Sequence, residues 1–264
     1  MQLSNLWRMI GEFRAMPRVS INLMLDAAVR TDPYYADMTR REYAQAMGRH
    51  PKYWVIRHNV YGVALCRLPE SFDKYYMGIE ASARRNHKKA VREGCVFRRI
   101  AFNEHLDAIR EVRQSTDVRQ GRLMPQDLRS GAITPCKDPP SSSPLHDYPY
   151  FGVFREGKML GYAGCFIGGE ICEVEQILGH ADHLSLGPVP LLLIGIAAYL
   201  YQSHPQVKFF AYGTYFGAGE TLRRFKRKFG FVPHRVDWEL GDSPAQPSSL
   251  AAAPSSGDTA QEGK

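Results

Sequence analysis

The stretch Thr221-Leu-Arg-Arg-Phe-Lys-Arg-Lys-Phe-Gly230 carries the most information in this sequence. Leu222, Phe225, Lys226 and Phe229 stand at i, i+3, i+4 and i+7, so a helix over about residues 219–229 gathers all four on one face. A lysine then sits on an apolar stripe, while Arg223, Arg224, Arg227 and Lys228 lie on or near the opposite side. Gly230 is placed to supply the left-handed C-cap, and Phe231 can fold back onto the last turn. Taken alone, Lys226 is a side chain that snorkels off the edge of a core face.

The flanking segments give this helix a sheet to pack on. After it, Phe231 to Leu240 alternates as a strand, with Val232, Val236, Trp238 and Leu240 on one face and Arg235, Asp237 and Glu239 on the other. Before it come a strand over Val207 to Tyr212 and a helix over Val189 to Ser203. The most apolar run, Pro188 to Tyr201, falls short of the roughly 20 residues of a membrane-spanning helix and is read as a core helix. Further upstream, Tyr150 to Phe154, Met159 to Ile167 and Glu170 to Gly179 form a meander with turns at Glu156-Gly157 and Gly168-Gly169. A strand over Cys95 to Ala101 and a helix capped by Asn103 precede the proline-rich run from Thr134 to Pro149, which reads as a surface loop. Tyr53 to His58 and Tyr61 to Leu68 suggest a hairpin around Asn59, followed by a helical stretch ending near Gly94. The order predicts an α/β chain (mixed α+β): a mixed, mainly antiparallel sheet flanked by helices, with a smaller N-terminal α/β half.

Composition narrows the classes of function. The 264 residues are 44% hydrophobic and 23% charged, which excludes wholesale disorder and low-complexity scaffolds. From Gly241 onward Ser, Pro, Ala and Gly dominate, and that tail is expected to be disordered. It carries Asp242, Asp258, Glu262 and Lys264, leaving 33 basic against 24 acidic residues in the body, so the basic character belongs to the folded part and points to an anionic partner. Five widely spaced cysteines without a CxxC, and an N-terminus without a continuous apolar run, point to a reducing, cytoplasmic compartment. Cys165 and Cys172 flank the Gly168-Gly169 turn and are read as buried thiols. His180, Asp182 and His183 stand in a turn without a further ligand cluster, so no metal site is expected.

Two other groups of residues could carry chemistry. Glu173 and Glu175 lie two apart on the third meander strand and are expected to share a face with Ile171 and Ile177, where one carboxylate can raise the other toward a general base. The plainer alternative is pairing with arginines or exposure to solvent. Arg84, Arg85, His87, Lys88, Lys89 and Arg92, with Arg98 and Arg99 beyond, form a basic patch, either a solvated helix face or a phosphate site.

The meander, helix, strand and short helix ending in Gly-Phe resemble the GNAT acyltransferase superfamily. The wording LRRFKRKFGF (222–231), after FFAYGTYFGAGE (209–220), is similar to the C-terminal signature of its FemAB-like branch, and YYMGIEASARRNHKKAVREGCVFRRI (75–100) resembles that branch's basic helix and first C-terminal strand. The resemblance covers roughly residues 34–240 and implies three parts: 1–94 as a reduced N-terminal half, 95–240 as the acyltransferase domain, and 241–264 as a tail. It implies transfer of an acyl or aminoacyl group from acyl-CoA or a charged tRNA to an amine acceptor, which could be nucleotide-linked. The Phe225-Lys226 pair would mark the transfer site, Glu173 or Glu175 would aid deprotonation, and Leu186, Gly187 and Val189 would face the donor. Arg84, Arg85, Lys88, Lys89, Tyr212 and Tyr215 would contact substrate or phosphate. The sequence departs from ordinary GNAT enzymes in two ways. The loop His183-Leu-Ser-Leu-Gly187-Pro188-Val-Pro190 has one glycine and two prolines, which lack N–H donors for a CoA pyrophosphate, and Lys226 replaces the usual tyrosine. A CoA-dependent N-acetyltransferase with an atypical loop and a non-catalytic module binding RNA or nucleotide remain the alternatives.

Overall fold

A computed structural model of the chain describes residues 15–49, 57–119, 122–137, 143–216 and 218–241. In chain order, β1 (Arg18–Asn22) leads to α1 (Leu25–Thr31) and α2 (Pro33–Met47), then β2 (Tyr61–Arg67), α3 (Phe72–Gly78), α4 (Ala81–Arg92) and β3 (Val96–Ile100). A 3-10 turn (Phe102–His105) precedes α5 (Leu106–Gln114), the two-residue strands β4 (Val118–Arg119) and β5 (Arg122–Leu123), and α6 (Gln126–Arg129). Then follow β6 (His146–Asp147), β7 (Tyr150–Arg155), β8 (Lys158–Gly168), β9 (Ile171–Gly179), a 3-10 turn (Ala181–Leu186), α7 (Pro188–Ser203), β10 (Phe209–Thr214), α8 (Glu220–Lys228) and β11 (Val232–Glu239).

Local chemistry sets the ends of these helices. Asp32 caps α2 by accepting from the Tyr34 N–H at 2.9 Å, with Pro33 supplying the first helical residue. At the end of α8, Gly230 adopts φ 84°, its N–H donates to Arg227 O, and the Phe231 N–H reaches back to Lys226 O at 3.1 Å. That is a Schellman stop, as the Gly-Phe pair leads one to expect.

Nine strands form one sheet in the order β1-β11-β2-β10-β9-β8-β7-β3, with β6 added on β8. Two neighbouring pairs are parallel, β1 with β11 and β10 with β9; the others are antiparallel. One core packs α3, α4 and α7 on the sheet, through residues such as Leu193, Phe210, Phe229 and Phe231. On the other face, α1 and α2 cover one region (Ile21, Tyr35, Phe166) and α5 another (Ile109, Tyr162, Phe154). Gly94 separates α4 from β3, and strands from both sides of it share the sheet.

Several local expectations change. The helical stretch before Gly94 is two helices, broken at Ile79-Glu80, where Arg84 turns back to donate to the carbonyls of Met77 in α3 and of Ile79 just beyond it, each at 2.6 Å. Asn103 does not cap a helix: its amide holds the loop instead, donating to Cys136 O and accepting from Cys136 N–H, both at 2.9 Å. The proline-rich run contains β6. Val232 stays 40% exposed, so the buried face of β11 begins at His234 and Val236. Tyr53 to Ile56, on which the hairpin around Asn59 depends, and residues 242–264 of the expected tail lie outside the described residues; β2 is a central strand between β11 and β10. All five cysteines are free, and Cys165 and Cys172 are fully buried. No described helix is long and apolar enough to cross a membrane.

Candidate active site

The site is built where two parallel strands part. β9 and β10 pair only through Ile171–Phe209, Cys172–Phe210 and Glu173–Ala211. Beyond Glu173 each strand bulges. Gln176 and Val174 of β9 face the adjacent residues Gly164 and Cys165 of β8, so Glu175 is the extra residue; β10 carries one extra residue between Ala211 and Thr214, where Gly213 adopts φ 54°. The bulge at Glu175 also reverses the alternation of β9. Ile171 belongs to the α2-side core, whereas Ile177 packs into the core under α7. The expected common face of Glu173, Glu175, Ile171 and Ile177 is therefore broken, since a strand keeps its period of two only between bulges.

Lys226 closes the β10 side of this split. Only 3% exposed, it donates from Nζ to the carbonyls of Tyr212 (2.5 Å) and Thr214 (2.9 Å), and Nζ lies 4.7 Å from the centre of the Tyr212 ring. Burial lowers its pKa to about 8, against the pull of the Glu173 charge, which raises it. The ammonium is thus not a snorkelling surface group.

On the β9 side stand three carboxylates, one of them from α2. Glu42 occupies the i+7 position from Tyr35 and i+3 from Thr39, both buried, so it extends the inward face of α2 toward Glu173. Burial raises the Glu173 pKa to about 7, with the charges of Glu42 and Glu175 adding to the rise and Lys226 opposing it. Glu42 is likewise raised to about 7 by burial and by Glu175, with Arg41 opposing. Glu175 is raised by burial, while the Tyr148 hydroxyl, which donates to its Oε2, and Arg41 hold it down. Glu42, Tyr148 and Arg41 escaped the sequence reading. Asp32-Pro33 was the available sign of a helix start, and a glutamate in register with buried residues was the sign of a special carboxylate.

A cleft of about 630 Å³ opens on the α7 side of the split. Phe225, Leu222, Tyr212, Gly187 and Val189 line it. Gly187 precedes α7 with φ 80°, and a Cβ there would meet Asn86 O at 3.0 Å, which is how closely α4 approaches this loop. The Gly187 N–H already donates to Leu184 O and that of Leu191 to Gly187 O. Pro188 and Pro190 have none, so among residues 187–191 only Val189 retains an N–H outside these bonds.

The remaining candidates scatter. Leu186 packs against the core below α7 rather than lining the cleft. Tyr215 is buried and borders a different depression with Phe216 and Arg223. In the basic patch, Arg84 is occupied by carbonyls at the end of α3, and Lys89 lines the cleft while donating to Ser185 O at 2.9 Å. Arg85, Lys88 and Arg92 share the exposed face of α4. The His180 and His183 rings lie with centres 4.9 Å apart, tilted by 44°, and among the described residues no cluster of three or more His, Cys, Asp or Glu could hold a metal ion.

The overall fold is similar to that of solved structures. FemX superposes with a TM-score of 0.54 at 11% identity, over 78% of this chain and 67% of that one. The fold is GNAT-like and is shared with FemX. L-PGS from Bacillus licheniformis is similar at a TM-score of 0.44 and 14% identity, over 67% of this chain and 61% of that one. A tandem GNAT protein from the clavulanic acid biosynthesis pathway gives 0.43 and 14%, over 66% and 50%. The chain therefore spans between half and two-thirds of the length of these chains. No family model matches it, and no curated protein sequence matches it.

Proposed function

We propose that the chain is an N-acyltransferase of the FemAB-like kind, moving an acyl or aminoacyl group from an activated carrier to an amine acceptor. The observation that carries this reading is the meeting of two oppositely charged, pKa-shifted groups at one split. Glu173 is the last residue of β9 paired with β10, and Lys226 caps the β10 carbonyls just beyond it. A carboxylate near pH 7 can take a proton from an ammonium acceptor, whose free amine then attacks the donor carbonyl. The carbonyl oxygen becomes an oxyanion beside the Lys226 ammonium, and collapse of the adduct breaks the bond to the carrier, whose leaving oxygen or sulfur takes the second proton from the attacking nitrogen. The proton on Glu173 returns to solvent. Glu175, held by Tyr148, tunes Glu173 by its charge.

The cleft beside Phe225 and Gly187 takes the donor on this reading; Lys89 and Arg119 in its walls already donate to backbone carbonyls, so recognition by shape is favoured over recognition by phosphate. With one unused N–H among residues 187–191, a CoA pyrophosphate finds few donors there. This favours a donor other than CoA, and a charged tRNA fits the basic body. The direct test supplies the protein with acetyl-CoA or with charged tRNA, together with a mixture of amines, and detects acylated product by mass spectrometry. Product from the charged tRNA, lost on Glu173→Gln, is the expected result. Product only from acetyl-CoA makes the chain a CoA-dependent acetyltransferase with an atypical loop, and no product from any donor leaves a non-catalytic binding module.

A further inference from the structure

A second cleft, about 680 Å³, lies on the opposite side of the sheet between α2 and the end of β3. Its charges are three cations, Arg41, Arg99 and Lys137, and one acid, Asp147. That acid is fully engaged: it accepts from Arg99 at 3.0 Å, from the Tyr199 hydroxyl at 3.2 Å and from the Tyr148 N–H at 2.8 Å, and His204 Nε2 lies 3.4 Å away. Burial alone would raise the Asp147 carboxyl, but hydrogen bonding from His204 and the charge of Arg99 hold it below its usual range. Its single charge is thus spent on Arg99, whose side chain is nevertheless 51% exposed, while Arg41 and Lys137 stand exposed at the same cleft.

The cleft also borders the carboxylate cluster, although none of Glu42, Glu173 and Glu175 lines it. Tyr148 lines it and donates its hydroxyl to Glu175, and Arg41 lines it while its charge acts on both Glu42 and Glu175. One end therefore stands next to carboxylates suited to an ammonium, with Tyr148 between, and Arg41 and Lys137 give the walls exposed positive charge, suited to an anion. We propose that this cleft is the acceptor subsite, and that the acceptor is an amine that also carries an anionic group, a carboxylate or a phosphate. The proposal rests on the reading of Glu173 and Glu175 as groups that receive an amine. Charge-assisted contacts from a guanidinium and an ammonium are the strong interactions such an anion would find.

Binding alone, in the absence of any acyl donor, tests this apart from catalysis. The full chain is titrated by calorimetry with O-phosphoethanolamine, β-alanine and ethanolamine, and the Tyr148 and Tyr150 ring signals are followed by NMR. The anionic amines should bind at least about tenfold tighter than ethanolamine and move those ring signals, the tighter of the two naming the anion. Lys137→Met, at an exposed position, should weaken the anionic probes about tenfold and leave ethanolamine unchanged, while Arg41→Met, which also acts on Glu42 and Glu175, should weaken the anionic probes at least as much. Equal binding of ethanolamine, binding unaffected by both substitutions, or no binding of either anionic amine up to about 10 mM overturns the proposal. If charge-selective binding is found but no donor is ever used, the acyltransfer reading falls and the anionic-amine subsite stands; transfer to amines without charge selectivity reverses that outcome.

Discussion

The two sides of the β9–β10 split are built differently. On the α7 side the cleft is lined by Phe225, Leu222 and Tyr212, and the helix that points at it begins with two prolines. On the α2 side Glu42, Glu173 and Glu175 gather with Tyr148 and Arg41, and burial raises the pKa of each carboxylate. A surface of the first kind holds a ligand by shape and gives little to the chemistry. One of the second kind sets the half-buried Glu42 and Glu173 beside the exposed Glu175 so that like charges raise one another, which is a pattern found where protons move. On the proposed reading the difference divides the labour: the carrier on one side, proton transfer on the other, and Lys226 between them.

The strongest way to break this comparison is to remove the base. Glu173→Gln should lower turnover by about 10²–10⁴-fold, the usual contribution of a positioned general base, with donor binding unchanged. The same variant should melt at a higher temperature above pH 7. The raised pKa means that the folded state holds an unfavourable carboxylate there, a penalty relieved as pH falls through about 7. A variant that turns over like the parent would return the carboxylates to the class of pairing or solvated residues.

Lys226 comes next. If it must be an ammonium, kcat/KM falls as pH rises through about 8, and because Glu173 must be a carboxylate it falls as pH drops through about 7, leaving a narrow bell between them. Lys226→Met should lower turnover about 10²-fold, of the order found on losing one oxyanion donor, and should remove the alkaline limb. The variant also strands the carbonyls of Tyr212 and Thr214, so its melting temperature must be measured alongside. Lower stability with full activity in the folded fraction would make Lys226 a clamp on the β10 bulge and nothing more.

These residues also show what a sequence can reveal. The stop at Gly230-Phe231 and the stripe of Leu222, Phe225, Lys226 and Phe229 are local, set within about ten residues, and they were legible. The meander was legible for the same reason, its turns being marked by Glu156-Gly157 and Gly168-Gly169. The carboxylate cluster was only half legible, because Glu42 meets Glu173 through the docking of α2 on the sheet, a contact between distant parts of the chain. The bulge at Glu175 depends on which residue of β8 faces it, and register across strands leaves no trace in the alternation of one strand. Asn103 misled because an asparagine before a helix caps it only when its backbone partner is free and nothing else competes, and Cys136 competes.

A smaller effect sharpens the donor side. Calorimetry with CoA should show weak binding or none, and Pro190→Ala, which restores one N–H to the first turn of α7, should tighten it by no more than a few-fold. Tight, phosphate-dependent binding by the parent would reassign this cleft to a CoA carrier.

The smallest expected effect concerns the basic helix, and it bears on whether the carrier is a nucleic acid. Of its cations, Arg84 and Lys89 are occupied by backbone carbonyls, which leaves Arg85, Lys88 and Arg92 at i, i+3 and i+7 on one exposed face of α4. If these three engage tRNA phosphates, log affinity should fall linearly with log salt with a slope near −2 to −3, because each neutralised phosphate releases close to one counterion. Arg85→Glu with Lys88→Glu should weaken binding and flatten that slope by about two, with the fold intact, since exposed charges contribute little to stability. Lys89→Glu belongs outside this series, because it would also release α4 from the loop at Ser185 and disturb the donor cleft. A slope near zero in the parent would make α4 a solvated face, remove the charge argument for a tRNA carrier, and leave the donor to be recognised by the cleft beside Phe225 alone.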